Sequence, residues 1–461
     1  MIAMTLAEVA AATGGSLVPA DAGQIAVDGP VVSDSRQAGP GSLYVARIGE
    51  FADGHRYAGA AAEAGAVATL GSRAIEGMPT VVVADVQDAF AALGRAVVDR
   101  APALRIVGIT GSSGKTSTKD MLGQVLSRVG ETISPEGSLN SEVGVPLTVC
   151  RVTPTTDYLV AEMGATGVGH IAYLTRIAPP TVGIVLNVGR AHVGEFGSVD
   201  AIARTKAELV EALPADGLAV LNADDPRVRA MRDRTDARVL LVGRSPDADL
   251  RATEVRLDPL GRASFTLVGA GDPRPVQLAV HGEHHVGNAL AVIGAAIELG
   301  VPVAQAISAL ADARALSRWR MEVHELDSGA TLINDAYNAN PDSMTAALRA
   351  LQAMAGGRHT VAVLGEMREL GEDSEAEHQA IGELVRELGI DRLVTVGAGA
   401  AAIGRGADGI PTEQVADVDA AYALLRDSLG PGDVVLLKSS RDSGLRYLGD
   451  RMAFGDQEVG S

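Results

Sequence analysis

The sequence predicts an α/β protein of three units, and three observations carry that reading. Short β-branched runs alternate with helical stretches along most of the 461 residues, the pattern of mainly parallel sheets with helices on both faces. The alternation breaks once, at 250–281, where three strand-like runs follow one another with turns at 259–261 and 269–275; this predicts a small antiparallel sheet. The chain is too long for one ordinary core, and its 47% hydrophobic residues can fill two or three.

The first unit, 1–103, reads as small α/β structure. Thr5 with Glu8 three residues on predicts a capping box heading a helix over 5–13. Apolar runs at 43–46, 66–70 and 80–84 predict strands. The second unit, 104–316, opens with a strand at 105–110, a Gly-rich turn and a helix to about 129. Further strands are expected at 158–161, 182–187, 218–222 and 239–242, and a helix over 287–299 that stops at Gly300. The third unit, 317–461, predicts strands at 330–334, 360–364, 392–396 and 433–437, with helices over 342–354 and 374–388. Asp342, after Asn340 and Pro341, reads as the N-cap of the first of these.

Composition excludes some functions. A formal net charge of −19 argues against broad capture of nucleic acid or anionic membrane. No apolar run reaches the length of a spanning helix, and the first basic residue is Arg36, where an export signal starts basic. A cytoplasmic location is expected, and the single cysteine, Cys150, fits a reducing compartment. Of 39 basic residues only Lys115, Lys119, Lys206 and Lys438 are Lys. A chain that fills generic basic positions with Arg keeps Lys where an amine is specifically needed; chance survival is the alternative.

The segment Thr110-Gly-Ser-Ser-Gly-Lys-Thr116 lies between a strand and a helix. The amides of Gly111, Ser112, Ser113 and Gly114, with the helix N-terminus at Ser117, can cradle phosphate oxygens. Lys115 can reach terminal phosphates, and the Thr116 hydroxyl can ligate Mg2+. Ile109 stands where the strict phosphate-loop pattern has Gly, so the loop is a variant. Glu162 ends an apolar strand and faces the loop if that strand is parallel. By itself His192 reads more readily as a structural or surface histidine; its place after the strand at 182–187 makes it a candidate ligand.

These residues resemble the Mur ligases, which build the peptide stem of bacterial peptidoglycan, over nearly the whole chain. The variant loop, Arg204-Thr-Lys-Ala-Glu208, Asn222-Ala-Asp-Asp-Pro226 and His285-Val-Gly-Asn288 follow in family order. Four segments are most similar to the branch that adds D-Ala-D-Ala to UDP-MurNAc-tripeptide: Asp34-Ser-Arg36 with Asp53-Gly-His55, the run from Asn334 to Ser343, the run from Val363 to Gly371, and Lys438-Ser-Ser-Arg441.

The resemblance implies a UDP-substrate domain (1–103), a central ATP-binding domain (104–316) and a Rossmann-like domain (317–461) that closes on ATP and binds the dipeptide. It implies ATP and Mg2+, an acyl-phosphate intermediate, and a monomer. Thr116, Glu162 and His192 would hold Mg2+, joined by Lys206 after it takes up CO2 as a carbamate. Asn288 would contact adenine, and Arg320 and Asp335 the ribose and phosphates. Asp34, Ser35 and Arg36 would sit at the uridine diphosphate, with Asn140 near its phosphates. Without the family, Lys206 reads as an exposed helix lysine pairing with Glu208 or Glu211. Ser141, Thr166 and Asp442 depart from the family pattern, which bears on tripeptide contacts. Alternatives are a sister ligase adding the third stem residue, a folate polyglutamate ligase, and a phosphate-loop regulatory protein that binds nucleotide with little turnover.

Overall fold

The computed structural model describes residues 1–50, 52–190 and 193–455. The expected capping box is present: the Thr5 side chain accepts the Glu8 N–H at 3.3 Å and the Glu8 carboxylate accepts the Thr5 N–H at 2.8 Å, heading the helix Leu6–Thr13. Beyond it a five-stranded sheet runs in the order Ser16–Val18, Thr80–Val82, Ala66–Gly71, Ser42–Val45, Val31–Val32, parallel except at its first pair.

The middle of the chain forms one nine-stranded sheet. Its parallel part has Arg105–Thr110 at the centre, flanked by Tyr158–Glu162 and Val182–Val185, with Leu218–Asn222 and Arg238–Gly243 beyond. Val182–Val185 is buried at every position, which is why it is a continuous apolar run rather than an alternating one. The meander Leu250–Leu257, Arg262–Val268, Arg274–His281 is antiparallel as expected, but it does not stand apart. Val242 and Gly243 pair in parallel with Leu250 and Arg251, so the hairpins extend the same sheet.

The C-terminal sheet has six strands in the order Glu322–Glu325, Thr331–Asn334, Asp433–Lys438, His359–Leu364, Arg392–Val396, Thr412–Val415. Only the first pair is antiparallel. Its two outer strands escape a periodicity search: Glu-Val-His-Glu and Thr-Glu-Gln-Val carry one apolar residue each and lie at the edges.

One expectation fails at the helix Pro341–Ala355. The cap is Asn340, whose side chain accepts the Ser343 N–H at 2.9 Å, and Pro341 takes the first helical position. Pro there needs no N–H partner, so the cap falls one residue before it and Asp342 is left inside the first turn.

The linker between the middle and last sheets is pinned to the helix Lys115–Leu126. Gln124 exchanges two hydrogen bonds with the Arg314 backbone, at 2.9 and 3.0 Å, and Asp120 accepts the Ser317 N–H at 2.9 Å. Asp120 is itself paired with buried Lys119, which donates to the Pro135 carbonyl at 2.5 Å.

Candidate active site

The turn after the central strand is shaped by close approaches. Gly114 has φ 81°, and a Cβ there would lie 2.9 Å from Asn288 Oδ1, so both conformation and space call for glycine. The loop is held from the side by the segment after Val182–Val185. Asn187 Oδ1 accepts the Ser113 N–H at 2.9 Å and its amide donates to the Ser113 carbonyl at 3.2 Å. Ser112 Oγ accepts the Gly189 N–H at 2.9 Å.

A cavity of about 1090 Å³ opens over this loop, between the middle and C-terminal sheets. Gly111, Ser112, Ser113, Gly114, Lys115, Thr116 and Ser117 all line it. Thr110 does not: it is fully buried at the strand end. Lys115 Nζ rests on the Gly111 carbonyl at 2.7 Å. Burial lowers its pKa, Glu162 opposes that shift, and Arg320 adds to it.

Glu162, 2% exposed, stands at the carboxyl end of its parallel strand and faces the loop as expected. Thr116 Oγ1 donates to its Oε2 at 2.8 Å; Ser138 Oγ and Asn140 Nδ2 donate to its Oε1, each at 2.8 Å. Asn140 thus binds the carboxylate, a contact that sequence reasoning did not foresee, as it missed Ser138.

Lys206 lies on the helix Val199–Glu211 and lines the same cavity at 6% exposure. The exposed-lysine alternative is overturned. Glu208 caps another helix end, accepting the Gly169 and Ala172 N–H groups at 2.6 and 2.9 Å, and Glu211 pairs with Arg234. Among the described residues nothing hydrogen-bonds the Lys206 amine. Burial, and secondarily the Lys115 charge, push its pKa well down, which favours a neutral amine.

The opposite wall comes from the C-terminal unit. Lys438 Nζ donates to Asp335 Oδ2 at 2.6 Å and to the Asn338 carbonyl at 3.1 Å, fixing the loop after Thr331–Asn334. Arg320 stacks its guanidinium 4.4 Å over the Tyr337 ring, and among the described residues its buried Nε has no hydrogen-bond partner. Trp319 and Met321 on either side have φ 61° and 52°, a conformation costly for such side chains. The fold holds it by bonding the Trp319 indole to Asp450 at 2.9 Å and the Met321 N–H to Asp335 at 3.2 Å. Lys438 and Tyr337 had no role assigned from sequence; the scarcity of lysine was the signal for the first. Asn288 closes the floor beside His285, whose pKa is held well down by burial and by its neighbours His284 and His281.

Asp34, Ser35 and Arg36 are not part of this cavity. Arg36 folds back on Asp34 in a bidentate pair at 2.7–3.1 Å on an exposed turn of the first unit. His192 falls outside the described residues.

A phosphate-binding loop, a buried carboxylate and a second unit presenting Arg320 and Asp335 across a cleft define a nucleotide-dependent enzyme. Family comparison agrees: residues 109–296 match the Mur ligase middle domain and 319–441 the Mur ligase glutamate ligase domain. The chain belongs to the Mur ligase family. Within it, the chain is 46% identical over 505 aligned positions to the UDP-N-acetylmuramoyl-tripeptide--D-alanyl-D-alanine ligase of Mycobacterium bovis, covering 99% of both chains. It is 36% identical to the ligase of that name from Escherichia coli, covering 96% and 97%. Among solved structures, MurF from Acinetobacter baumannii matches with a TM-score of 0.89 at 31% identity over 98% of this chain and 99% of that one. MurF ligase from Thermotoga maritima in complex with ADP matches with 0.81 at 28%, over 92% and 97%.

Proposed function

We propose that this protein joins D-alanyl-D-alanine to UDP-MurNAc-tripeptide at the expense of ATP, in the cytoplasmic supply of peptidoglycan precursors. One observation carries the reading: the phosphate loop, Glu162 and Lys206 share a single cavity with Arg320 and Asp335 of the opposite wall. The terminal carboxylate of the tripeptide attacks the γ-phosphorus of ATP, the bond to the bridging oxygen breaks, and ADP leaves. The dipeptide amine then attacks the acyl carbon, gives up a proton, and displaces phosphate. Loop amides, Lys115 and Arg320 bear the phosphate charge, the kind of fixed electrostatic support that carries most of phosphoryl transfer. Closure of residues 317–461 over 104–316 keeps water from the acyl phosphate; residues 1–103, through Asp34, Ser35 and Arg36, take the uridine diphosphate.

The oxygen set at Glu162, with Thr116 and Ser138 hydroxyls, fits Mg2+, which binds through one or two carboxylates and completes its shell with water and phosphate. Held by these residues, Mg2+ would supply neutralisation of phosphate charge. Lys206 supports a carbamate: its neutral amine adds to CO2 and loses a proton, giving an anion beside Lys115. Two features favour this, the depressed pKa and the lack of any described anionic partner.

Phosphate release from ATP, measured with UDP-muropeptides and dipeptides omitted in turn, tests the reaction. Release that needs both UDP-MurNAc-tripeptide and D-Ala-D-Ala is expected. Release without an acceptor amine, or transfer of a single amino acid to UDP-MurNAc-dipeptide, overturns it. For the carbamate, Lys206→Arg is expected to be inactive and Lys206→Ala to regain turnover with a small added carboxylate; an active Lys206→Arg enzyme rules it out.

A further inference from the structure

Asp342 is released from capping by Asn340, and its carboxylate crosses to the middle unit instead. Its Oδ2 accepts the Arg190 N–H at 2.9 Å. It also occupies the space over Gly189, where an added Cβ would come within 2.0 Å of that oxygen. Two further contacts join the same segments. Glu377 pairs with the Arg190 guanidinium, and the Glu369 carbonyl accepts the Gly194 N–H at 3.0 Å. Glu369 has φ 65°, a conformation disfavoured for a residue with a side chain. Gly371 lies against Gly194 so closely that a Cβ on Gly371 would meet the Gly194 Cα at 3.0 Å.

The residues held this way are themselves the support of the phosphate loop. Ser112 receives the Gly189 N–H on its Oγ, and its own N–H donates to the Asn187 carbonyl at 3.1 Å. Ser113 is bonded in both directions by Asn187. A continuous set of hydrogen bonds therefore runs from the first turn of Pro341–Ala355, through 187–190, to the loop at 111–114.

We propose that Asp342 is a positioning residue which ties the phosphate loop to the docked C-terminal unit, so that the loop is held in its working shape when the two units meet. The loop amides must point at one place to stabilise the transferring phosphate. A contact made only in the docked state contributes to turnover more than to ATP capture by the open enzyme. The kinetic part of the test rests on the ligase reading above; the exchange part does not.

The experiment is a double-mutant cycle on the full chain, reading phosphate release and amide hydrogen exchange. Asp342→Ala is expected to lower kcat by about tenfold, the scale of one charge-assisted hydrogen bond, with KM for ATP within about twofold. Asp342→Asn, which keeps an acceptor oxygen, recovers most of the loss, which a general packing defect does not predict. Gly189→Ala, whose methyl displaces the carboxylate, reproduces the defect, and the double variant is no worse than either single one. Amides at 111–114 and 189–190 exchange faster in Asp342→Ala and Gly189→Ala than in the wild type. Losses that multiply in the double variant, or unchanged exchange at 111–114, overturn the proposal. If Asp342→Ala does not fold, Gly189→Ala alone decides by its exchange and KM-against-kcat pattern. A wild-type protein inert toward these substrates, with exchange still responding, refutes the ligase reading and leaves this one standing.

Discussion

The two joints of this molecule are made of different material. Between the first unit and the middle one the core is continuous: a single apolar cluster runs from Met4 through Phe90 and Val97 to Val149, Ile177 and Leu241. The helix Val86–Asp99 comes so close that a Cβ on Gly94 would lie 3.1 Å from Ile177. The C-terminal unit keeps its own cores. It meets the middle one chiefly through Arg190 with Asp342 and Glu377, Gly194 with Glu369, and Ser317 with Asp120 and the Gly137 N–H. Val193 is an apolar exception, packed against both sides. An apolar joint cannot part without exposing surface, whereas the solvent-facing polar contacts at Arg190 exchange for water at little net cost; the buried Ser317–Asp120 bond belongs to the linker. The closure proposed above is therefore expected at the second joint, where the cavity lies.

Four experiments sharpen or break that contrast. The largest effect is expected inside the polar joint. Lys115→Ala should cut turnover by about 10³-fold or more, since removing a cation from a transferring phosphoryl group commonly costs that much, while circular dichroism stays native. Near-normal phosphate release by the folded variant would refute the assignment of the loop.

Next comes the wall that the C-terminal unit brings to the joint. Lys438→Met removes the cation from the Asp335 carboxylate and leaves it the Met321 N–H, and breaking a buried pair on one side costs about 3–5 kcal/mol. Urea unfolding should show the loss in the C-terminal transition; an unshifted midpoint means that Asp335 is held by something else.

The apolar joint is probed by Gly94→Leu, which forces a side chain between two packed helices. Overpacking of this kind costs about 1–3 kcal/mol. The expected signature is a lower melting temperature with KM for ATP unchanged. A change in KM for ATP without loss of stability contradicts the picture of a rigid first joint.

The smallest effect is in stability against pH. Lys206 has a folded pKa below its unfolded one, so neutralising its amine is a cost that folding carries at every pH below the ordinary lysine value. Apo Lys206→Met should melt above the wild type at pH 7, although inactive. The gap should close as pH rises towards about 10.4, where the unfolded amine also loses its proton. A gap that does not vary with pH over this window shows that the amine is charged in the fold.

What the chain determines locally was legible without a structure. The strand Arg105–Thr110, the glycine turn and the helix Lys115–Leu126 fall where the pattern puts them, because β-branched runs, glycine φ preferences and phosphate-cradling amides are properties of neighbours in sequence. So is the Thr5–Glu8 capping box. The economy of lysine was a sequence signal too: Lys119, Lys206 and Lys438 are buried, and Lys115 lies in the cavity. Proline at the first helical position puts the cap of Pro341–Ala355 on Asn340, a local matter; tertiary structure gave the freed Asp342 a partner 152 residues away. It also buried Lys206 on a helix whose sequence allows exposure, placed Asn140 on Glu162, and set Arg320 on Tyr337 across from Lys115. Contacts of that kind depend on how sheets pack and where loops cross, and no local period or propensity encodes them.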